Sequence, residues 1–112
     1  MVKRGEIYWV DWDPGRGSEQ TGIRPALIVQ NDVGNDYSPS TIVAALTTAP
    51  MKPYPFAVPV TAKESGLPKD SVINLSSILT IDKERLMERC GSLPTGRMTQ
   101  VDFALKKSLG LK

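Results

Sequence analysis

Pro25-Ala26-Leu27-Ile28-Val29-Gln30 is an apolar run of strand length, preceded by a polar loop from Gly15 to Gly22 that carries three glycines. Unbroken apolar character predicts a strand buried on both faces. Upstream, Glu6-Ile7-Tyr8-Trp9-Val10-Asp11-Trp12 is rich in aromatic and β-branched residues and stops at Asp13-Pro14-Gly15, so it reads as a strand followed by a turn. Downstream, Asn31 to Ser40 reads as a loop from its Asn, Asp, Ser, Gly and Pro content. Thr41-Ile42-Val43-Ala44-Ala45-Leu46-Thr47 then returns as a third strand.

Further along, Pro50, Pro53, Pro55 and Pro59 fall within ten residues, which excludes a central strand or a helix there. A stiff loop leading into an edge strand over Phe56 to Val60 is predicted instead. Lys63 to Lys69 carries a turn at Ser65-Gly66. Ser71 to Leu75 and Ile78 to Ile81 read as short strands joined through Ser76-Ser77, Asp82 to Leu86 as one helical turn, and Leu86 to Leu93 as the last strand. The period then changes: Met98, Val101, Ala104, Leu105, Ser108 and Leu109 recur at three or four. With Thr95 as cap and Gly110 as stop, this predicts an amphipathic helix of about four turns. The architecture is mainly β, six or seven short strands closing a small sheet or barrel covered by one helix.

The chain has 112 residues, enough for one domain with one core. No aliphatic stretch approaches the roughly 20 residues that cross a bilayer, and the first residues lack the apolar run of a signal peptide, so a cytoplasmic location is expected. There is no histidine and one cysteine, which removes the usual general base, Ser-His and Cys-His nucleophile pairs, and a four-cysteine zinc site. Cys90, within Leu86-Met87-Glu88-Arg89-Cys90, reads as a buried small side chain. The net charge of +2 is uneven: residues 1–56 carry five basic and six acidic side chains, residues 57–112 nine and six. A nucleic-acid ligand is permitted by this balance and not demanded by it.

The densest polar segment is Gly17-Ser18-Glu19-Gln20-Thr21-Gly22-Ile23-Arg24-Pro25. By composition it is a polar loop with Arg24 as a surface ion-pair residue, and Pro25 biases Arg24 to extended geometry at the mouth of the buried strand. The segment, together with Lys3-Arg4-Gly5-Glu6-Ile7-Tyr8-Trp9, Ile42-Val43-Ala44-Ala45-Leu46-Thr47 and Asp70-Ser71-Val72-Ile73, resembles the MazF/PemK family of type II toxins. These are RNA endonucleases of toxin-antitoxin pairs. The resemblance implies an SH3-like barrel of the plasmid-toxin type, a homodimer, and no metal or cofactor. It maps the family's catalytic arginine onto Arg24 and its threonine onto Thr47, and the loop that closes over RNA onto Ser18, Glu19 and Gln20.

Those residues suit a reaction in which RNA cleaves itself. The ribose 2'-hydroxyl attacks the adjacent phosphorus, and the protein aligns the attack and stabilises the added charge. Arg24 offers a permanently charged planar fork of donors for two phosphate oxygens, and Thr47 a hydroxyl. Adjacent strand residues point to opposite faces, so only one of Thr47 and Thr48 is expected to face the site, and the register favours Thr47. Glu19 either accepts the 2'-hydroxyl proton or orients Arg24; orientation is the favoured reading. Tyr54-Pro55-Phe56 offers a ring for base stacking, or else Phe56 belongs to the core with Tyr54 over it. Where family members often carry glutamine, this chain has Ser77, which bears on base preference.

Two rivals stand beside this reading. Asp11 and Asp13, two apart on one strand, form either a Mg2+ site of a metal-dependent nuclease or a solvated strand end. A non-enzymatic protein on the same barrel, a gyrase poison or an SH3-like binding module, is the other. The resemblance further implies an antitoxin partner, an acidic and partly disordered peptide laid across the RNA groove, and a homodimer for which apolar residues such as Leu109 and Leu111 offer a contact surface.

Overall fold

The computed structural model describes residues 1–12, 22–48 and 55–112. In chain order its elements are β1 (Glu6–Asp11), β2 (Ile23–Ile28), α1 (Asp32–Tyr37), β3 (Ser40–Thr47), β4 (Ala57–Val60), α2 (Ala62–Ser65), β5 (Ser71–Asp82), a 3-10 turn (Lys83–Arg85), β6 (Leu86–Ser92) and α3 (Thr95–Leu109). The six strands form one antiparallel sheet in the order β4-β5-β3-β2-β1-β6. The mainly β class with a terminal helix is therefore as expected. Closure comes from packing, since β4 and β6 are the sheet's two edges.

Strand alternation splits the apolar side chains into two layers. Ile7, Leu27, Ala44, Leu46, Ile73 and Leu75 face inward with Val58 and Val60, and Val101 and Ala104 of α3 cover them. Full burial of such a leucine or isoleucine is worth about 1.5–3 kcal/mol, so this cluster dominates the fold. A smaller group, Val10, Trp12, Ala26, Ile28, Val43 and Ile81, lies on the other face. β2 contributes to both, which is why its sequence shows no polar alternation.

Four local readings are corrected. The stretch from Asn31 to Ser40 holds a helix, α1. Its Asn and Asp residues cap and anchor it: Asn31 Oδ1 accepts from Gly34 N at 2.8 Å, and buried Asn35 donates to Gln30 O and accepts from Thr41 Oγ1 at 2.7 Å. The turn at Ser65-Gly66 is the end of α2, which Thr61 and Glu64 start with a reciprocal capping box. Ser76-Ser77 does not separate two strands, because β5 runs through it with a register shift between Ala44↔Ile78 and Ala45↔Asn74. Thr95 is the first helical residue of α3 and Pro94 the cap, because the extended backbone of Pro94 (ψ 158°) already presents its carbonyl to Arg97 N and Met98 N. Gly110 ends α3 as expected, with φ 72° and N–H bonds to Lys106 O and Lys107 O. Among the described residues, no helix is long and apolar enough to cross a membrane.

The two edges are drawn round one core by a close backbone approach. Gly66 has φ +78°, and a Cβ there would lie 2.0 Å from Cys90 O; at Gly91 a Cβ would lie 2.7 Å from Ser65 O. α2 directly follows β4, so seating it on β6 brings both edges together. Gly66→Ala combines left-handed strain with a backbone clash and is expected to destabilise the fold by at least about 3 kcal/mol in urea unfolding. The Glu64 carboxyl is held below its ordinary value by the Thr61 backbone N–H and by the Arg97 guanidinium. A depressed folded-state value means that the stabilisation is present at neutral pH and is lost as pH falls through that value. Glu64→Gln should therefore flatten the decline of melting temperature below about pH 4.3.

Candidate active site

β2 begins where the chain returns to the sheet. Trp12 N donates to Gly22 O at 2.9 Å, and Gly22 takes the left-handed conformation (φ +76°) before Ile23 enters the strand. Arg24 then pairs with Val10 and Pro25 with Trp9. Pro25 lacks a donor and holds the chain extended, so Arg24 is set at the strand's mouth with an exposed side chain. On its other side β2 pairs with β3 through Ala26↔Ala45, Leu27↔Ala44 and Ile28↔Val43. Continued two pairs outward, that register sets Arg24 opposite Thr47. Directly opposed residues of an antiparallel pair share a face, so the guanidinium and the hydroxyl start from neighbouring points of one surface.

Both border a cleft of about 280 Å³ lined by Trp9, Arg24, Pro25, Leu46, Thr47, Thr48, Leu67, Pro68, Lys69 and Ser71. Arg24 and Lys69 are its only charged groups among the described residues, and no carboxylate lines it. Among the described residues this partly apolar lining, with two cations, hydroxyls and no acidic side chain, suits an anion better than a metal ion. Asp11 ends β1 and lines no part of it, and Asp13 lies outside the described residues. Among the described residues, no three His, Cys, Asp or Glu side chains gather as metal ligands.

Of the residues singled out from sequence, Arg24 and Thr47 line the same cleft. Thr48 also borders the cleft, which corrects the expectation that one threonine alone faces it; β3 ends at Thr47, so strand alternation no longer governs its neighbour. Pro55 and Ser77 lie elsewhere. Pro55 borders a second groove of about 440 Å³ between β4 and α3. Ser77 Oγ accepts from Asn74 Nδ2 at 2.9 Å, and Ser76 Oγ donates to Asn74 Oδ1 at 2.6 Å, giving an exposed polar cluster. Asn74 shares its face with Val72, the partner of Thr47, about 7 Å further along β5. Ser18, Glu19, Gln20 and Tyr54 lie outside the described residues. Phe56 is partly buried against the core. Sequence reasoning missed Trp9, Lys69 and Ser71. The pattern around Trp9 marks it only as a strand residue, and nothing in Pro68-Lys69-Asp70 marks the lysine as facing a cleft rather than solvent.

A family model described as "PemK-like, MazF-like toxin of type II toxin-antitoxin system" matches residues 3–109. The chain belongs to this MazF-like toxin family. It is similar to the endoribonuclease MazF of Staphylococcus epidermidis, 49% identical over 112 residues that span 99% of this chain and 93% of that one. It is also similar to the endoribonuclease EndoA of Bacillus subtilis, 48% identical over 99% of this chain and 97% of that one. Among solved structures, an endoribonuclease in complex with its cognate antitoxin from a mycobacterial species has a TM-score of 0.83 at 27% identity, covering 100% of this chain and 98% of that one. MazF of Deinococcus radiodurans has a TM-score of 0.82 at 25% identity, with 98% and 97% covered. The MazF-like fold thus accounts for the whole sheet and α3.

Cys90, on β6, is half-buried against the core. Burial pushes its thiol above the ordinary value, against the lowering effect of the Trp9 backbone N–H. The group is protonated at neutral pH and is a poor nucleophile. Iodoacetamide at pH 7 is expected to label Cys90 much more slowly in the folded protein than in urea.

Proposed function

We propose that this protein is an endoribonuclease toxin that cuts single-stranded RNA, messenger RNA in the cytoplasm, without a metal ion or other cofactor. One observation carries the reading: Arg24 and Thr47, from neighbouring strands, line one cleft whose charged groups among the described residues are both cations. Cleavage of a phosphodiester by its own 2'-hydroxyl asks the protein for alignment and for stabilisation of negative charge, and these groups supply both.

In this mechanism the 2'-oxygen attacks phosphorus in line with the 5'-oxygen. The P–O2' bond forms, the P–O5' bond breaks, the departing 5'-oxygen takes a proton from water, and the products are a 2',3'-cyclic phosphate and a 5'-hydroxyl. Arg24 holds two non-bridging oxygens and meets the charge that develops on them. Thr47 donates its hydroxyl to the same group or to the departing oxygen. The 2'-hydroxyl proton leaves to Glu19 or to water; an arginine with a pKa of about 12.5 or higher is a weak base at neutral pH, which leaves Glu19 as base or as the residue that orients Arg24. Ser18, Gln20, Tyr54, Pro55 and Ser77 contact the RNA on either side, with stacking on an aromatic ring worth roughly 1–3 kcal/mol per base.

Two further proposals follow from family membership. A cognate antitoxin restrains the toxin by laying an acidic segment across the cationic cleft. Two copies pair as a homodimer, for which Leu109 and Leu111, 54% and 61% exposed, offer apolar surface.

Incubating the purified protein with a mixed-sequence RNA pool and sequencing the cut ends tests the reading. Cleavage that survives EDTA and leaves cyclic phosphate is expected. Arg24→Ala should slow it by about 100-fold or more and Thr47→Val by a smaller factor, with both variants still folded. Loss of cleavage in EDTA, or parental rates in Arg24→Ala, would overturn it.

A further inference from the structure

We propose that Lys69 is a second phosphate-binding residue of the cleft, holding the phosphate next to the one that is cut. The inference rests on the RNA-cleaving reading above. Arg24 is engaged by the scissile group, yet single-stranded RNA brings one phosphate per nucleotide, and among the described residues the cleft has one other cation, Lys69, to receive the next.

Opposite the residues of β1, β2 and β3, the wall is Leu67, Pro68, Lys69 and Ser71, the turn from α2 into the start of β5. Its backbone is held on both sides of Lys69. Ser71, 5% exposed, donates its hydroxyl to Lys69 O at 3.1 Å. Asp70 Oδ1 accepts from Ala62 N at 2.7 Å, so the neighbouring carboxylate is committed to the start of α2. Leu67 is buried, its N–H bonds Ser65 Oγ at 3.1 Å, and the Gly66 approach to Cys90 O seats the whole turn on β6. The ammonium of Lys69, by contrast, is exposed and makes no ion pair or hydrogen bond among the described residues. A fixed turn that carries an unengaged cation into an anion-binding cleft is a preorganised phosphate contact. Trp9, Leu67 and Pro68 offer apolar surface in the same cleft for the intervening nucleoside.

Lysine and arginine suit different phosphates here. The scissile group changes shape and charge during reaction, which a bidentate fork can follow. Its neighbour does not change, and a point charge binds it equally in ground and transition states. Lys69 therefore acts on affinity rather than on the chemical step.

The test uses the full chain and a mixed-sequence RNA pool with 2'-O-methyl riboses, which lack the attacking hydroxyl. Dissociation constants are measured by fluorescence anisotropy against KCl concentration. Loss of one phosphate contact on a single strand reduces the slope of log affinity against log salt by about 0.7, so Lys69→Gln should weaken binding about fivefold near 0.1 M salt. With cleavable RNA, KM rises in Lys69→Gln while the rate at saturation stays within about twofold, and Lys69→Arg restores the slope. Equal melting temperatures show that the fold is intact. An unchanged salt slope, or a loss confined to the saturated rate, overturns the inference while the cleavage reading stands. Failure of the parental protein to cut RNA sinks both.

Discussion

The pairing of β2 with β3 governs both the interior and the cleft. Ala26↔Ala45, Leu27↔Ala44 and Ile28↔Val43 place apolar side chains on both faces of the sheet, and a slip by one residue would turn each to the wrong layer. The core therefore fixes the register, and the register fixes which side chains meet at the strand ends. Arg24 and Thr47 come to one cleft because Leu27 must face Val101 and Ala104 rather than Val10. The placing of Arg24 and Thr47 at one cleft is a by-product of core packing, which is economical in a chain of 112 residues.

The second wall of the cleft depends on a different device. The turn after α2 reaches the site only because Gly66 and Gly91 permit backbone contact between α2 and β6. A side chain at either position would push α2 outward and take Leu67, Pro68 and Lys69 with it. The capping box of Thr61 and Glu64, and the ion pair of Glu64 with Arg97, tie the same short helix to α3. Edge closure and site construction are thus one problem in this fold, solved with two glycines and a few polar contacts.

Electrostatically the cleft is simple. The buried or half-buried carboxylates of the described residues are used elsewhere: Glu6 accepts from Lys3 N and Tyr8 and pairs with Arg89, and Glu64 serves α2. Among the described residues, no acidic side chain lines the cleft. The two like charges sit on separate elements, an arrangement that costs the protein little because both are exposed to water and screened.

Much of this was legible along the chain. The apolar run at Pro25 to Gln30, the change of period after Leu93, the proline cluster before Val60 and the Gly110 stop each act through neighbouring residues, and local patterns express local physics. So does the cue at Arg24, where a following proline holds the residue extended. α1 was missed because its capping residues are also loop residues, and the decision between them lies with Asn35, whose buried amide is satisfied by Gln30 and Thr41 from outside the helix. Trp9 and Lys69 were missed because no spacing links them: the strand partner of Pro25 and a turn more than forty residues further along meet only when the sheet curls onto α2. Period, punctuation and the Arg24 and Thr47 cues are properties of short stretches, and the chain carries them unfolded. Which cation shares the cleft with Arg24 is a property of long-range packing, and it comes into being only as the two sheet edges are brought together over one core.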